Sequence, residues 1–167
     1  MYVVDLVVGL STFAKRGFRG AVVVVMIVAA SLALTSPVEA NERAAIAISA
    51  AKPLGPVPGT FSTVGAFSDF GIMSTVSRSV SALPAPFGVV THLVLRFEGQ
   101  QGTFTIRTQI KETATENPNI FFNRGVWAVV EGTGAYSTLR GTGDMQGTVD
   151  DLLNQINRFF TGLVHFN

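Results

Sequence analysis

Twelve residues, Gly132 to Gly143 (GTGAYSTLRGTG), hold four glycines, one tyrosine and one arginine directly after the strand-like run Gly125 to Glu131. Glycine at this density serves a chain that needs positive φ or close backbone approach. The stretch therefore reads as a fixed corner between two strands, with Gly132, Gly134, Gly141 and Gly143 as its structural positions. A dinucleotide-binding fingerprint is the competing interpretation. It fails because Ser137 stands where the third glycine is required, and because no helix or βαβ unit follows.

The segments around this corner alternate with period two, which is the strand signal. Thr60 to Ser68 carries β-branched and aromatic residues, with Asp69 and Gly71 as turn material. Ile72 to Ala82 alternates strictly, placing Ile72, Ser74, Val76, Arg78 and Val80 on one face, until Pro84 and Pro86 end it. Val89 to Glu98 and Thr103 to Glu112 flank Gly99-Gln100-Gln101-Gly102 and form a hairpin. After the polar loop Thr113 to Asn119 come the aromatic strand Ile120 to Glu131, the glycine corner, and strands at Gly141 to Val149 and Arg158 to Phe166. Between the last two, Leu152, Leu153, Ile156, Phe159 and Phe160 fit helical spacing. A short helical turn over Asp150 to Arg158, capped by Thr148, is expected there, with a longer hairpin loop as the alternative. Seven or eight strands with short links and no long helix predict an all-β sandwich or a closed antiparallel barrel. Roughly eight strands enclose just enough room for side chains or one small ligand.

The 167-residue chain divides before the barrel begins. Lys15, Arg16 and Arg19 precede an uncharged apolar run, Ala21 to Leu34, which Ser36 and Pro37 break before the small-residue site Val38-Glu39-Ala40. This is the pattern of a secretory signal peptide, so residues 1–40 are expected to be removed after Ala40; the alternative is an uncleaved anchor. The apolar prelude Met1 to Ala14 points to a start codon assigned too far upstream. Residues 41–58, whose centre AKPLGPVPG holds three prolines and two glycines, read as a tether with room for a short strand at Ala44 to Ser49. Residues 59–167 then form one barrel domain. The absence of cysteine fits an exported bacterial protein better than a small eukaryotic secreted domain, and predicts a secreted or periplasmic location. Twelve basic against eleven acidic residues, with no basic cluster after the signal, exclude a nucleic-acid footprint.

The run VVEGTGAYSTLRGTG, Val129 to Gly143, resembles the hallmark of the allene oxide cyclase barrel-like families, which include plant allene oxide cyclases, dirigent proteins and small bacterial proteins of unknown function. In them an apolar strand leads into Gly-x-Gly-x-aromatic, a spacer, a small or apolar residue and x-Gly. Gly132, Gly134, Tyr136, Leu139 and Gly141 occupy that spacing, and Thr161 to Phe166 is similar to the last strand of the bacterial members. The resemblance spans Gly59 to Asn167 and implies an eight-stranded antiparallel calycin-like barrel. It carries over the architectural corner and no catalytic residue.

Candidate chemistry lies in the lumen such a barrel encloses. Arg78 sits among Ile72, Val76 and Val80, where a guanidinium must be paired or solvated. It could hold an anionic or carbonyl-bearing ligand, or form a structural ion pair. Glu131, counted on the face of Trp127 and Val129, is its candidate partner. Trp127 and Tyr136 could form an aromatic ligand wall, or pack as ordinary core. His92 and His165 fall on separate strands, short of the three or four converging ligands a metal needs. Asp144, Asp150 and Asp151 lack calcium-loop spacing, and no nucleophile motif is present. Neither a metal nor a cofactor is expected. The leading expectation is a non-catalytic exported barrel that binds a small apolar or amphipathic molecule. The alternatives are an isomerase or cyclase that works by positioning its substrate, and a structural protein forming a homodimer or homotrimer. No membrane partner is expected after signal cleavage.

Overall fold

A computed structural model of the chain describes residues 42–82 and 89–167. The expected signal peptide and its cleavage site after Ala40 lie outside these residues, as do Pro84 and Pro86. The described residues form eight strands: β1 (Ala44–Pro53), β2 (Gly59–Gly65), β3 (Asp69–Ala82), β4 (Val89–Gly99), β5 (Thr103–Ala114), β6 (Ile120–Gly132), β7 (Leu139–Asp150) and β8 (Gln155–Phe166). Each pairs antiparallel with its neighbours in sequence, and β1 pairs with β8, so the sheet closes into an all-β barrel.

The closing strand comes from the expected tether. Ten residues of β1 pair with β8, from Ala44↔Val164 to Pro53↔Gln155, and six pair with β2. Ile46, Ile48, Ala50 and Lys52 alternate inward and are buried. Alanine is a weak strand former, but two open edges, β2 and β8, offer β1 hydrogen bonds on both sides, and tertiary pairing overrides propensity. The unpaired, Pro-rich part is confined to the link after Pro53.

The expected helical turn is absent. β7 continues to Asp150, residues 151–154 make a tight turn, and β8 begins at Gln155. Asn154 adopts φ +52°, a left-handed conformation that asparagine tolerates, and Asp150 Oδ1 accepts from the Leu153 amide at 2.9 Å. Ile156 and Phe160 are four residues apart, and that spacing keeps one face in a helix and also in a strand. Of the rest of the helical pattern, Leu152 and Leu153 are exposed turn residues and Phe159 is an exposed residue of β8.

The lumen is filled unevenly along its axis. At one end Phe97 and Phe104 stack with ring centres 4.7 Å apart, and Phe61 meets both edge-on. Phe160 and Phe67 extend the group. Tyr136, on a single 3-10 turn (Gly134–Tyr136) between β6 and β7, packs against Phe67 and Phe104. Met73, Leu95, Ile106 and Leu139 complete this packed end, and all four are fully buried. Aromatic pairs in these offset and edge-on arrangements add to the burial of their area.

Two bulges decide which side chains face the lumen. In β3, Thr75 pairs with Leu95 and Ser77 with Val94, leaving Val76 as the extra residue. In β6, Ile106 pairs with Val129 and Thr105 with Glu131, leaving Val130 extra. An extra residue inverts the alternation beyond it.

Candidate functional site

The first bulge brings Arg78 to the lumen. Directly opposed residues share a face, and Arg78 opposes Leu93, which is buried inside. Ile72, on the other side of the bulge, is exposed on the outer wall. Arg78 and Ile72 therefore do not share the face that unbroken alternation gives them. The second bulge acts the other way on Glu131. Trp127 opposes the buried Thr108, whereas Glu131 opposes Thr105 on the outside and accepts a hydrogen bond from its hydroxyl at 3.2 Å. Glu131 is thus no lumen residue and no partner of Arg78.

Trp127 belongs to the packed wall. Its Nε1 donates to the carbonyls of Asp144 and Thr161, each at 3.1 Å. A Cβ placed on Gly162 would come within 2.8 Å of Trp127 Cζ2, so glycine there makes room for the indole. Tyr136 sits at the packed end. Its hydroxyl donates to Asp69 Oδ2 at 2.6 Å, and Asp69 also accepts from the amides of Phe70 (2.8 Å), Gln100 (2.9 Å) and Gln101 (3.4 Å). Burial pushes the Asp69 carboxyl pKa up, but the Tyr136 hydroxyl and the three amides outweigh it and hold the carboxyl below its ordinary value. Burial and the same carboxylate raise the pKa of the Tyr136 hydroxyl.

Two glycines of the corner, Gly132 and Gly134, adjoin this latch, while Gly141 and Gly143 pack β7 against β8. Gly134 has φ +59°, a Cβ on Gly132 would meet the Tyr136 carbonyl, and one on Gly143 would meet the Thr161 carbonyl. The corner is tied to the β4–β5 hairpin by Ala135 N to Gln101 O at 2.9 Å and Thr133 N to Thr103 O at 2.8 Å.

The opposite end of the barrel holds a cavity of about 580 Å³, within the usual range of small-molecule pockets. Leu54, Leu93, Ile110, Phe121, Val149 and Ile156 form its apolar walls. Its polar lining is Lys52, Thr75, Ser77, Arg78, Thr91, Glu112, Asn123, Asp151 and Arg158. Of the four lumen candidates expected from sequence, only Arg78 is here; Trp127 and Tyr136 are packed elsewhere and Glu131 is outside.

Arg158 and Lys52 are the residues that sequence reading missed. Arg158 is only 9% exposed, and its Nε and Nη1 are buried with no hydrogen-bond partner among the described residues. Burial, then the nearby Arg78 cation, pull its pKa down to about 10, while Glu112 acts in the opposite direction. At neutral pH it remains charged. Asn123, also buried, has an unpartnered Oδ1. Lys52 Nζ donates to the carbonyls of Pro53 (2.8 Å) and Gly55 (2.5 Å), anchoring the β1–β2 link at the mouth. Burial, then Arg158, lower its pKa. The available signal was a polar residue on an apolar alternating face: Arg158 between Ile156 and Phe160, and Lys52 after Ile46, Ile48 and Ala50. Reading those stretches as helix and tether concealed it.

His92 lies on β4 and His165 on β8, and among the described residues no group of three or more His, Asp or Glu could hold a metal ion. Fold and cavity together define a closed eight-stranded antiparallel barrel, packed at one end and open at the other. No family model, curated protein or solved structure matches the chain.

Proposed function

We propose that this protein is an exported binding barrel that holds a small amphipathic molecule in the open half of its lumen, without transforming it. The observation that carries this reading is the division of the lumen. One half is filled to core density by phenylalanines, while the other keeps an apolar-walled cavity with buried polar groups that lack partners. Buried polar atoms are ordinarily satisfied, so an unsatisfied set facing a cavity suits a ligand. The resemblance to the allene oxide cyclase barrel-like families supports a lumen-based role, because the eight-stranded barrel it implies is the fold observed. Export rests on the residue 1–40 pattern, and cleavage after Ala40 would leave β1 whole.

Titration with the neutral fluorophore N-phenyl-1-naphthylamine tests the binding reading. We expect saturable, one-site enhancement that Leu93→Trp abolishes by filling the cavity while the fold persists by circular dichroism. No saturable binding of this probe or of any C10 amphiphile would refute it. Intact-mass measurement of the protein recovered from its host's exterior tests export, with a chain beginning at Asn41 expected.

A further inference from the structure

Resting on the binding reading, the charge arrangement within the cavity goes one step further and specifies the ligand's head group. One cross-strand row of inward positions runs from Glu112 on β5 through Asn123 and Gly147 to Arg158. Gly147 contributes no side chain, because a Cβ there would stand 2.3 Å from the Asn157 carbonyl of β8. The row beneath, Ile110, Gly125, Met145 and Phe160, leads into the packed end. The row above, Phe121, Val149 and Ile156, is apolar until it reaches Lys52 on β1 at the mouth. The cavity therefore has charged groups at its rim, apolar walls beneath them and, on its floor, the buried Asn123 and Arg158.

We propose that the lumen takes an organic carboxylate head-first, its carboxylate seated against Arg158 on the floor and its apolar tail directed to the mouth. Arg158 is a buried cation whose Nε and Nη1 have no acceptor, and no carboxylate pairs with it; among the described residues the only ion pair is Arg96 with Glu98. An unpaired buried charge is destabilising unless something neutralises it, and a carboxylate supplies acceptors in charge-assisted bonds. Lys52, Arg78 and Arg158 face Glu112 and Asp151 around the cavity, so one positive charge is left uncompensated. That balance suits a monoanion, and a cationic amphiphile would meet net repulsion.

Calorimetric titration of the full chain with decanoate, decanol and decylamine tests this. Decanoate should bind about 10- to 100-fold more tightly than decanol, the ratio expected for a hydrogen bond to a charged group, and decylamine should bind least. Arg158→Met should bring decanoate down to the affinity of decanol, and Arg78→Gln, at an exposed site that threatens the fold less, should narrow the ratio. Equal binding of decanoate and decanol by the unaltered protein would overturn the head-group assignment and leave the binding reading standing. If none of the three binds, and N-phenyl-1-naphthylamine does not, both fall. A decanoate bearing a terminal nitroxide should broaden the amide signals of Leu54 and Asp151 at the mouth and spare the Met145 methyl; the opposite pattern would overturn the orientation.

Discussion

Asp69 shows how one side chain can fasten three elements. It starts β3, receives two amides of the β4–β5 link, and receives the hydroxyl that the glycine corner delivers on Tyr136. Even Gly99 is shaped by it, since a Cβ there would lie 2.0 Å from Asp69 Oδ2. Tyr136→Phe should cost about 1–3 kcal/mol, the range for hydrogen bonds to charged partners. The pH dependence has a definite sign. The Asp69 carboxyl has a lower pKa folded than unfolded, so its contribution is present above the unfolded carboxylate value and is lost as pH falls through the folded one. Melting temperature followed from pH 7 into the acid range should decline, and Asp69→Asn should decline less steeply. An identical slope would remove Asp69 from the account. In the sequence Asp69 is legible only as turn material, because its partners are 31 and 67 residues away.

At the scale of elements, the corner and the closing strand carry the most weight. Gly134 takes φ +59°, and a Cβ would stand 2.6 Å from the Gln101 carbonyl. Gly134→Val places a β-branched residue in a left-handed conformation, which costs roughly 1–2 kcal/mol before any clash. Denaturant unfolding should show a loss of at least this size, with ligand binding at the far end retained in the folded fraction. β1 makes a different point. A chain that begins at Leu54, without β1, would expose the edges of β2 and β8, and open edges recruit other strands. Size-exclusion chromatography should find it oligomeric or insoluble, whereas a chain beginning at Asn41 should elute as the folded barrel. Strand identity was readable wherever alternation was unbroken, as in Thr103 to Glu112. It was only partly readable in β1, where the room left for a strand at Ala44 to Ser49 falls within the observed Ala44–Pro53 but alanines blur the pattern, and not at the start of β8, where spacing of four serves two periods equally.

Across the whole molecule, the packed core and the cavity occupy opposite ends of one barrel. Phe97→Ala removes a fully buried ring from a stacked pair and should cost about 3–5 kcal/mol while leaving the affinity for decanoate near its original value. Conversely, saturating decanoate should raise the melting temperature, since a ligand that binds only the folded state stabilises it by mass action. Loss of decanoate binding in folded Phe97→Ala would show that the two ends are coupled.

The sequence by itself determined the local features: period-two strands, the hairpin at Gly99 to Gly102, the glycine corner and, from these, an all-β antiparallel fold. These depend on neighbours along the chain, and the backbone reads them without help. Tertiary structure alone decided closure and facing. β1 becomes a strand because two edges need a partner, and that need exists only once the other seven strands are assembled. Arg78 enters the lumen and Glu131 leaves it because single bulges at Val76 and Val130 invert the alternation, and a bulge is a property of the paired register. The candidate site followed the same rule: Arg158, Asn123 and Gly147 come from three strands and meet only across the ladder.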